Sequence, residues 1–285
     1  MKIRRKLSKV TIGKILAFLI FAFFAGTLVY SLIWAVVSSL KDPVEYIVDK
    51  NTFLPKEWLF GNYLEAFDLL NVRGHNVFEM FFNSIWLTLG QSLISAAVCT
   101  TTAYIMSKYE FVGKKVMNVV ILASMMVPLY GSQAAVMKLY LRTGMYNSPL
   151  ILLASASGVG SMFLILRSYF KGVSWEYAEA AQLDGASDLW IYLKVMLPIA
   201  KPAVMSLFMV MLINGWNDYT TAVYYLPDYP TIASGLYLYE KISSFNINFP
   251  VYFAGVVMAC IPTMILFLCF QEQIMNSITT GGLKG

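Results

Sequence analysis

Long apolar runs, separated by short polar stretches, follow one another along this 285-residue chain. A helix needs roughly 20 apolar residues to cross the hydrocarbon core of a bilayer. Five runs of about that length contain no Asp, Glu, Lys or Arg, and a sixth contains only Asp218. They lack the alternation of barrel strands, so the pattern predicts an all-α polytopic membrane protein with six transmembrane helices. The expected ranges are about 15–37, 80–106, 116–137, 148–166, 202–225 and 251–270.

Composition and charge add an orientation to this topology. The chain is 58% hydrophobic and 13% charged, far from the average of soluble domains. Basic residues crowd segment 1–14, which the positive-inside rule places in the cytoplasm, and six spans return the tail 276–285 to the same side. The first run could be a signal sequence, but it is longer than the roughly 7–15 apolar residues of one, so we expect a retained anchor. The basic residues are Lys2, Arg4, Arg5, Lys6, Lys9 and Lys14.

Polar residues and prolines mark the expected helix boundaries. Asn83-Ser84 is a predicted cap for the second span, and Pro202 is expected at the start of the fifth. Pro128 and Pro262 fall inside their spans, where each removes an N–H donor. Two interpretations stay open for these two prolines: an ordinary transmembrane kink, or a hinge for alternating access.

Two outer segments connect the predicted spans. Segment 38–79 mixes prolines, glycines, charges and aromatic residues, which predicts a folded external excursion. Segment 226–250 is rich in Tyr, Pro, Ser and Asn and is expected to be a solvated connector between two helices.

The chain shows no pattern typical of a catalytic or metal site. Cys99, Cys260 and Cys269 lie in apolar runs without metal-ligand spacing, and His75 stands alone in an outer loop, where we expect a solvated side chain. The net charge of +5 averages a basic inner face and a slightly acidic outer one, which gives no reason to expect nucleic acid. No catalytic residue, metal or cofactor is predicted, and the chain is not expected to be an enzyme.

The cytoplasmic stretch 171–201 has a local organisation of its own. Residues 175–183 are predicted to form a short amphipathic helix with Trp175, Ala178 and Gln182 on one side. Gly185 suits the positive φ of a helix C-terminus, and Ser187-Asp188 offers a new N-cap. A second helix then runs to Pro198, where we expect a bend. A helix–glycine–helix of this kind could dock as a rigid unit into a partner.

This stretch resembles the EAA loop of permease subunits in binding-protein-dependent ABC importers. Val195 stands where the family usually has Ile, which is a conservative departure. The resemblance implies a type I importer permease fold in which this loop is a coupling helix seated in a cytoplasmic ATPase. The residues that match are Glu179, Ala180, Ala181, Gly185, Leu197 and Pro198.

Further residues resemble the MalG-type permeases of carbohydrate importers. These are the stretch 216–219, the long segment after it and the glycine-rich C-terminus 281–285. The resemblance covers about residues 75–285, with a permease core at 80–275. It implies a second permease subunit, two ATPase subunits, an extracellular solute-binding protein and a sugar substrate. The chain has no G-x-x-x-x-G-K-[ST] loop, so ATP hydrolysis is expected on another chain.

Asp218 is the one acidic or basic residue inside a predicted span, and an intramembrane charge suggests a function. Counting from Pro202 places it in the outer part of the bilayer. With Trp216, Asn217 and Tyr219 it could line a sugar path; alternatively, Asn217 and Asp218 cap a break in the helix or pair with the partner permease. An ion-coupled transporter and a permease for another solute are the alternative functions, although a carboxylate near the midplane, typical of the former, is not expected.

Overall fold

A computed structural model describes residues 2–49, 52–126, 131–157, 160–242 and 247–282. Thirteen α-helices account for most of these residues, with no strand among them. The chain divides into two compact units, one of residues 1–71 with 239–260 and the other of residues 72–238 with 261–285. The helices are α1 Lys2–Ser39, α2 Pro43–Val48, α3 Gly61–Leu69, α4 Val77–Lys108, α5 Lys114–Met126, α6 Gln133–Thr143, α7 Ser161–Gly172, α8 Glu176–Leu183, α9 Asp188–Ile191, α10 Leu197–Asn217, α11 Thr220–Tyr225, α12 Ile232–Ile242 and α13 Phe249–Gly282.

The first unit is built on aromatic contacts and on a capped helix end. Trp34 of α1 meets Phe253 of α13 edge to face, with ring centroids 5.0 Å apart. The buried Asn62 amide donates to the carbonyls of Ser39 (2.8 Å) and Lys41 (2.9 Å), which satisfies backbone acceptors at the end of α1. Segment 38–79 therefore carries short helices and an ordered turn, as expected of a folded excursion.

Helix α4 is the centre of the second unit, where it packs against α7, α10 and a 3₁₀ segment at Pro149–Ser157. Two contacts are close because a glycine faces the neighbouring element. A Cβ on Gly90 would lie 2.8 Å from the Leu152 side chain, and a Cβ on Gly215 would lie 3.3 Å from Thr88. Small residues allow helices in membranes to approach in this way.

Four helices of the described residues are long and apolar enough to cross a membrane: Gly13–Ser39, Val77–Lys108, Asp188–Asn217 and Phe249–Gln271. The 3₁₀ segment and α7, inclined by 50°, would make a fifth span if counted together. The remaining predicted span, 116–137, includes α5 and the start of α6. Pro128 lies outside the described residues. Pro262 lies inside α13, as the sequence predicted.

The predicted span 202–225 is wrong at both ends. One 30-residue helical stretch covers Asp188–Asn217, so Pro202 lies inside a helix rather than at its start. The helix ends before Asp218, and the separate α11 follows. The predicted helix coincides with the apolar run, but the observed helix begins in the polar stretch that precedes this run.

The predicted cap at Asn83-Ser84 is also wrong. Helix α4 begins earlier, at Asn76, whose side chain accepts from the Glu79 N–H (3.0 Å). Asn83 and Ser84 instead bind segment 226–250: the Asn83 amide donates to the Pro230 carbonyl (3.1 Å), and the Ser84 hydroxyl accepts from the Ile232 N–H (2.8 Å).

Segment 226–250 is therefore not the solvated connector that its composition suggested. Leu226, Ile232 and Ser234 are fully buried, and a Cβ on Gly235 would collide with Met80 of α4. Its Thr231 and Ser234 hydrogen bond reciprocally at the start of α12. The polar composition of this segment supplies caps and buried hydrogen bonds.

The close approach at Gly90 predicts that Gly90→Leu lowers stability. The added side chain overpacks the contact with Leu152, at a cost of about 1–3 kcal/mol, or roughly 2–12 °C in apparent melting temperature. Gly26→Leu is the matched control, because a Cβ there meets nothing within 4 Å. Thermal denaturation of both variants in detergent is the measurement. Equal shifts would contradict this account of the contact.

Candidate functional site

Residues 176–198 form a helical hairpin, and a glycine motif ends its first helix. The Gly185 N–H donates to the Gln182 carbonyl (2.9 Å), and the Ala186 N–H donates to the Ala181 carbonyl (3.0 Å). These two bonds form a Schellman motif, with Gly185 at φ +81°. Glycine adopts this left-handed backbone without the steric cost that a Cβ imposes, so the positive φ predicted for Gly185 at the end of the first helix is confirmed.

Ser187 starts the second helix of the hairpin, as its sequence suggested. Its hydroxyl accepts from the Trp190 N–H (3.4 Å), and Asp188 stands in the first turn, where the helix dipole favours a carboxylate. Local hydrogen bonds thus pair backbone groups on both sides of the turn between the two helices. The hairpin has a defined geometry for this reason.

A π-helical turn at Tyr192–Met196 precedes Pro198, where the sequence predicted a bend. The Leu197 N–H donates to the Tyr192 carbonyl, five residues back, and the chain continues into α10 with Pro198 in its first turn. A proline at the first positions of an α segment removes a donor that would lack an α-helical partner. The wider turn accordingly lets the helix pass Pro198 without ending.

The hairpin rests on the core of the second unit through small and apolar side chains. Ala178, Ile191 and Met196 are fully buried and cluster with Phe170 of α7. Ala181 joins this buried side, together with the half-buried Val195. Gln182, which the sequence placed on one side of the helix with Trp175 and Ala178, is exposed.

Contacts with the loop after α4 hold the hairpin from a second direction. Trp175 meets the ring of Tyr109 edge to face, with centroids 5.8 Å apart. The Lys108 ammonium donates to the Val173 carbonyl just before the hairpin. Burial raises the pKa of Tyr109, so its phenol is neutral at physiological pH. These contacts tie the base of the hairpin to the C-terminal end of α4.

The opposite face of the hairpin is exposed and carries large apolar side chains beside carboxylates. Leu183, at the tip, is 90% exposed. Glu179, Ala180 and Gly185 are also exposed, and a Cβ on Gly185 would meet nothing within 4 Å. Exposed apolar groups in such number on one face are typical of a docking surface. We name as the coupling face the exposed residues Glu176, Tyr177, Glu179, Ala180, Leu183, Leu189 and Trp190.

At the other end of the long helix, the Asp218 side chain caps a break between helices α10 and α11. Its carboxylate accepts from the N–H groups of Thr220 (2.9 Å) and Thr221 (3.3 Å) and from the Thr221 hydroxyl (2.5 Å). Of the interpretations open at the sequence level, the helix cap is the one that the geometry displays.

The other residues of the stretch 216–219 make separate contacts. Trp216 is buried and lies 5.9 Å from the Phe81 ring, centroid to centroid. The Asn217 amide donates to the Ile213 carbonyl (2.8 Å), and Tyr219 stacks on Tyr237 at 4.4 Å. Only Asp218 of this stretch lines the polar cavity described next.

A polar cavity of about 340 Å³ lies between α4, the 3₁₀ segment and α10. Ser95 bridges two of its walls by donating to the Ser155 carbonyl (2.8 Å). Asp218 shares this cavity with residues near the middle of the 32-residue α4. The lining residues are Gln91, Ser92, Ser95, Ser155, Met211, Asn214, Gly215 and Asp218.

The amide and hydroxyl residues of this cavity were missed by sequence reasoning, although a signal existed. Gln91, Ser92 and Ser95 fall within about one turn of an otherwise apolar run, and Asn214 precedes Asp218 by four residues. Residues three and four apart share one face of a helix. A search for polar residues at helical spacing, rather than for charges, would have found both walls.

The chain belongs to the family described as binding-protein-dependent transport system inner membrane component, whose model matches residues 96–274. It is thus a multi-pass component of a membrane transport system. The family is one of transport permeases.

Individual relatives support the same assignment. The chain is 27% identical to the probable ABC transporter permease protein YurM of Bacillus subtilis strain 168, over 90% of this chain and 84% of that protein. It is 28% identical to the arabinooligosaccharides transport system permease protein AraQ of the same organism, over 81% of each chain.

A solved structure shares the fold. It is a bacterial ABC transporter involved in the import of the acidic polysaccharide alginate, one chain of which matches with a TM-score of 0.78 and 24% identity. The match covers 92% of this chain and 96% of that one. The predicted all-α importer permease fold is therefore confirmed.

The cap at Asp218 predicts that Asp218→Ala lowers stability by about 1–2 kcal/mol, because backbone donors at the helix break lose their acceptor. Asp218→Asn keeps one acceptor oxygen and should lose about half as much. The measurement is the thermal midpoint of both variants in the same detergent. If Ala and Asn were equally stable, the carboxylate would not be acting as a cap.

Proposed function

We propose that this chain is the permease subunit of an ATP-driven importer for a sugar or oligosaccharide, with residues 176–198 as the element that couples transport to an ATPase. Family membership supports the importer, and the coupling face supplies a docking surface. Several relatives are named for oligosaccharide transport, including AraQ and the galactooligosaccharides permease GanQ of Bacillus subtilis strain 168.

The observation that carries the proposal is the continuity between the hairpin and the polar cavity. One helical stretch runs from Asp188, in the hairpin, to Asn217, next to the cavity residue Asp218. Thirty helical residues span about 45 Å. A displacement of the hairpin is therefore transmitted along a stiff element to the cavity.

The residues of the hairpin fit this mechanical role. Glu179 and Ala180 face the proposed partner, where a carboxylate can accept charged hydrogen bonds and a small side chain permits close approach. Ala181 and Val195 face the core. Gly185 shapes the turn, and Leu197 with Pro198 begins α10 after the π turn.

The orientation follows from charge. The positive-inside rule assigns the basic segment 1–14 to the cytoplasm, and the six spans predicted from the sequence would put the hairpin and the C-terminus on the same side. Segments 38–79 and 226–250 then face outward, toward a solute-binding protein. The chain lies in the plasma or inner membrane in this topology.

The proposed partners are inferred from a sequence motif that the chain lacks and from the surface that its hairpin exposes. Its sequence has no phosphate-binding G-x-x-x-x-G-K-[ST] loop, so two separate ATPase subunits are proposed beneath the coupling face. A second permease subunit would complete the substrate path.

Gly185→Trp should uncouple ATP hydrolysis from uptake. The backbone at φ +81° disfavours a side chain with a Cβ, and the indole would project into the space that the partner needs. We expect at least a tenfold loss of ATP-dependent uptake in proteoliposomes while membrane insertion is retained. Gly185→Asn is the control, since Asn tolerates this backbone region and is small. Uptake at the normal rate with Trp would contradict the coupling assignment.

Leu183→Asp tests the coupling face without altering the backbone. The 90% exposed side chain contributes little to the fold, so the variant should remain stable but retain less ATPase subunit on copurification. Val48→Asp, at a 75% exposed apolar position in segment 38–79, is the matched control. If both variants retained the ATPase equally, Leu183 would lie outside the contact.

A further inference from the structure

The polar cavity lies where a membrane protein rarely tolerates irregular backbone. Gln91 and Ser92 stand near the midpoint of α4, which is long enough to place its midpoint near the bilayer centre. The helix break at Asp218 lies at the same cavity. Non-helical backbone at membrane depth persists only where it is buried in protein or lines a water-filled space. The break therefore belongs to an internal or aqueous surface and not to the lipid face.

Three polar side chains that line this cavity make no hydrogen bond within the described part of the chain. Within the described residues, no hydrogen bond occupies the amides of Gln91 and Asn214 or the hydroxyl of Ser92. Asn214 is exposed to solvent on the surface of the single chain, whereas Ser92 is only 3% exposed. Polar groups at this depth are costly unless they meet a partner or water. Their free donors and acceptors are available to a ligand.

The walls of the cavity are fixed by other contacts. Gly215 holds α10 close to Thr88 of α4, and the Ser95–Ser155 hydrogen bond ties α4 to the 3₁₀ segment. A volume of about 340 Å³ is at the lower end of the range of about 300–1,000 Å³ that small-molecule sites occupy. The unpaired groups thus project from a scaffold that the other lining residues hold in place.

The charge of the lining selects among solutes. Asp218 is its one acidic residue, and no Lys, Arg or His lines the cavity in the described part of the chain. An anionic solute would meet a carboxylate without a cation to offset it. Amide and hydroxyl groups, in contrast, both donate to and accept from the hydroxyl groups of an uncharged polyol.

We propose that Gln91, Ser92 and Asn214 form a subsite of this subunit that binds one unit of an uncharged, polyhydroxylated solute during passage. The proposal rests on the importer function and names the class of substrate. It assigns direct solute contact to this chain in addition to whatever the second permease contributes. The amides are the binding groups, and Asp218 holds the helix break open and excludes anions.

Uptake by the assembled transporter tests the binding groups. Arabinotriose and galactotriose serve as neutral probes and trigalacturonate as the acidic one, in proteoliposomes with the full set of subunits. Gln91→Leu and Asn214→Leu should each lower neutral uptake at least fivefold. Asn118→Leu, an amide on α5 outside the cavity, should stay within twofold. Unchanged neutral uptake in both cavity variants, or equal uptake of trigalacturonate, would overturn the proposal.

A thiol-labelling experiment keeps the proposal testable if the leucine variants fail to assemble or the neutral probes are not delivered. Asn214→Cys in the assembled transporter is treated with a cationic or an anionic methanethiosulfonate reagent, and the peptide carrying position 214 is quantified by mass spectrometry. Relative to a free thiol, we expect the cationic reagent to be favoured roughly three- to tenfold. Asp218→Asn should bring this ratio close to one. Absence of labelling, or no charge preference, overturns the proposal.

The two proposals fail differently. If wild-type uptake of a delivered solute were independent of ATP, the importer function would be wrong whatever the cavity does. If wild-type uptake required ATP but the cavity variants matched Asn118→Leu, the subsite alone would be wrong.

Discussion

Satisfaction of backbone polar groups within the bilayer is the constraint on which the architecture depends. Asp218 separates helix α10 from helix α11. This break is stabilised because the Asp218 carboxylate accepts hydrogen bonds from two backbone donors and a threonine hydroxyl. At the other end, the π turn before Pro198 accommodates the missing donor without ending the helix. The π turn lies within the helical stretch Asp188–Asn217, and Asp218 follows its last residue. The backbone is therefore helical from the hairpin to the cavity.

The hairpin was largely predictable because its signals are local. The Schellman glycine at 185 and the cap at Ser187 each act within a few residues, so their geometry follows from residue type and spacing. The π turn before Pro198, in contrast, was not predicted. Proline disfavours an α-helical hydrogen bond, but sequence alone does not show that the preceding turn widens to absorb it.

Other features depended on partners distant in the chain, which local patterns do not encode. Asn83 and Ser84 looked like a cap because both residue types favour caps, yet they bind segment 226–250. That segment looked solvated because it is polar, yet its Thr231 and Ser234 hydrogen bond to each other and its Leu226 and Ile232 are buried. The cavity was missed because single amides in apolar runs carry little signal until helix packing brings Gln91 and Asn214 to the same space.

The bonds from α4 to segment 226–250 also order events during synthesis. The Asn83 amide and its Pro230 acceptor are 147 residues apart in the chain. At about 5–20 residues per second, a ribosome needs roughly 7–30 s to supply the second partner after the first. During that interval the polar groups at the start of α4 must be hydrated or held by the insertion machinery. The contacts of Asn83 and Ser84 with segment 226–250 are therefore completed well after the start of α4 has been made.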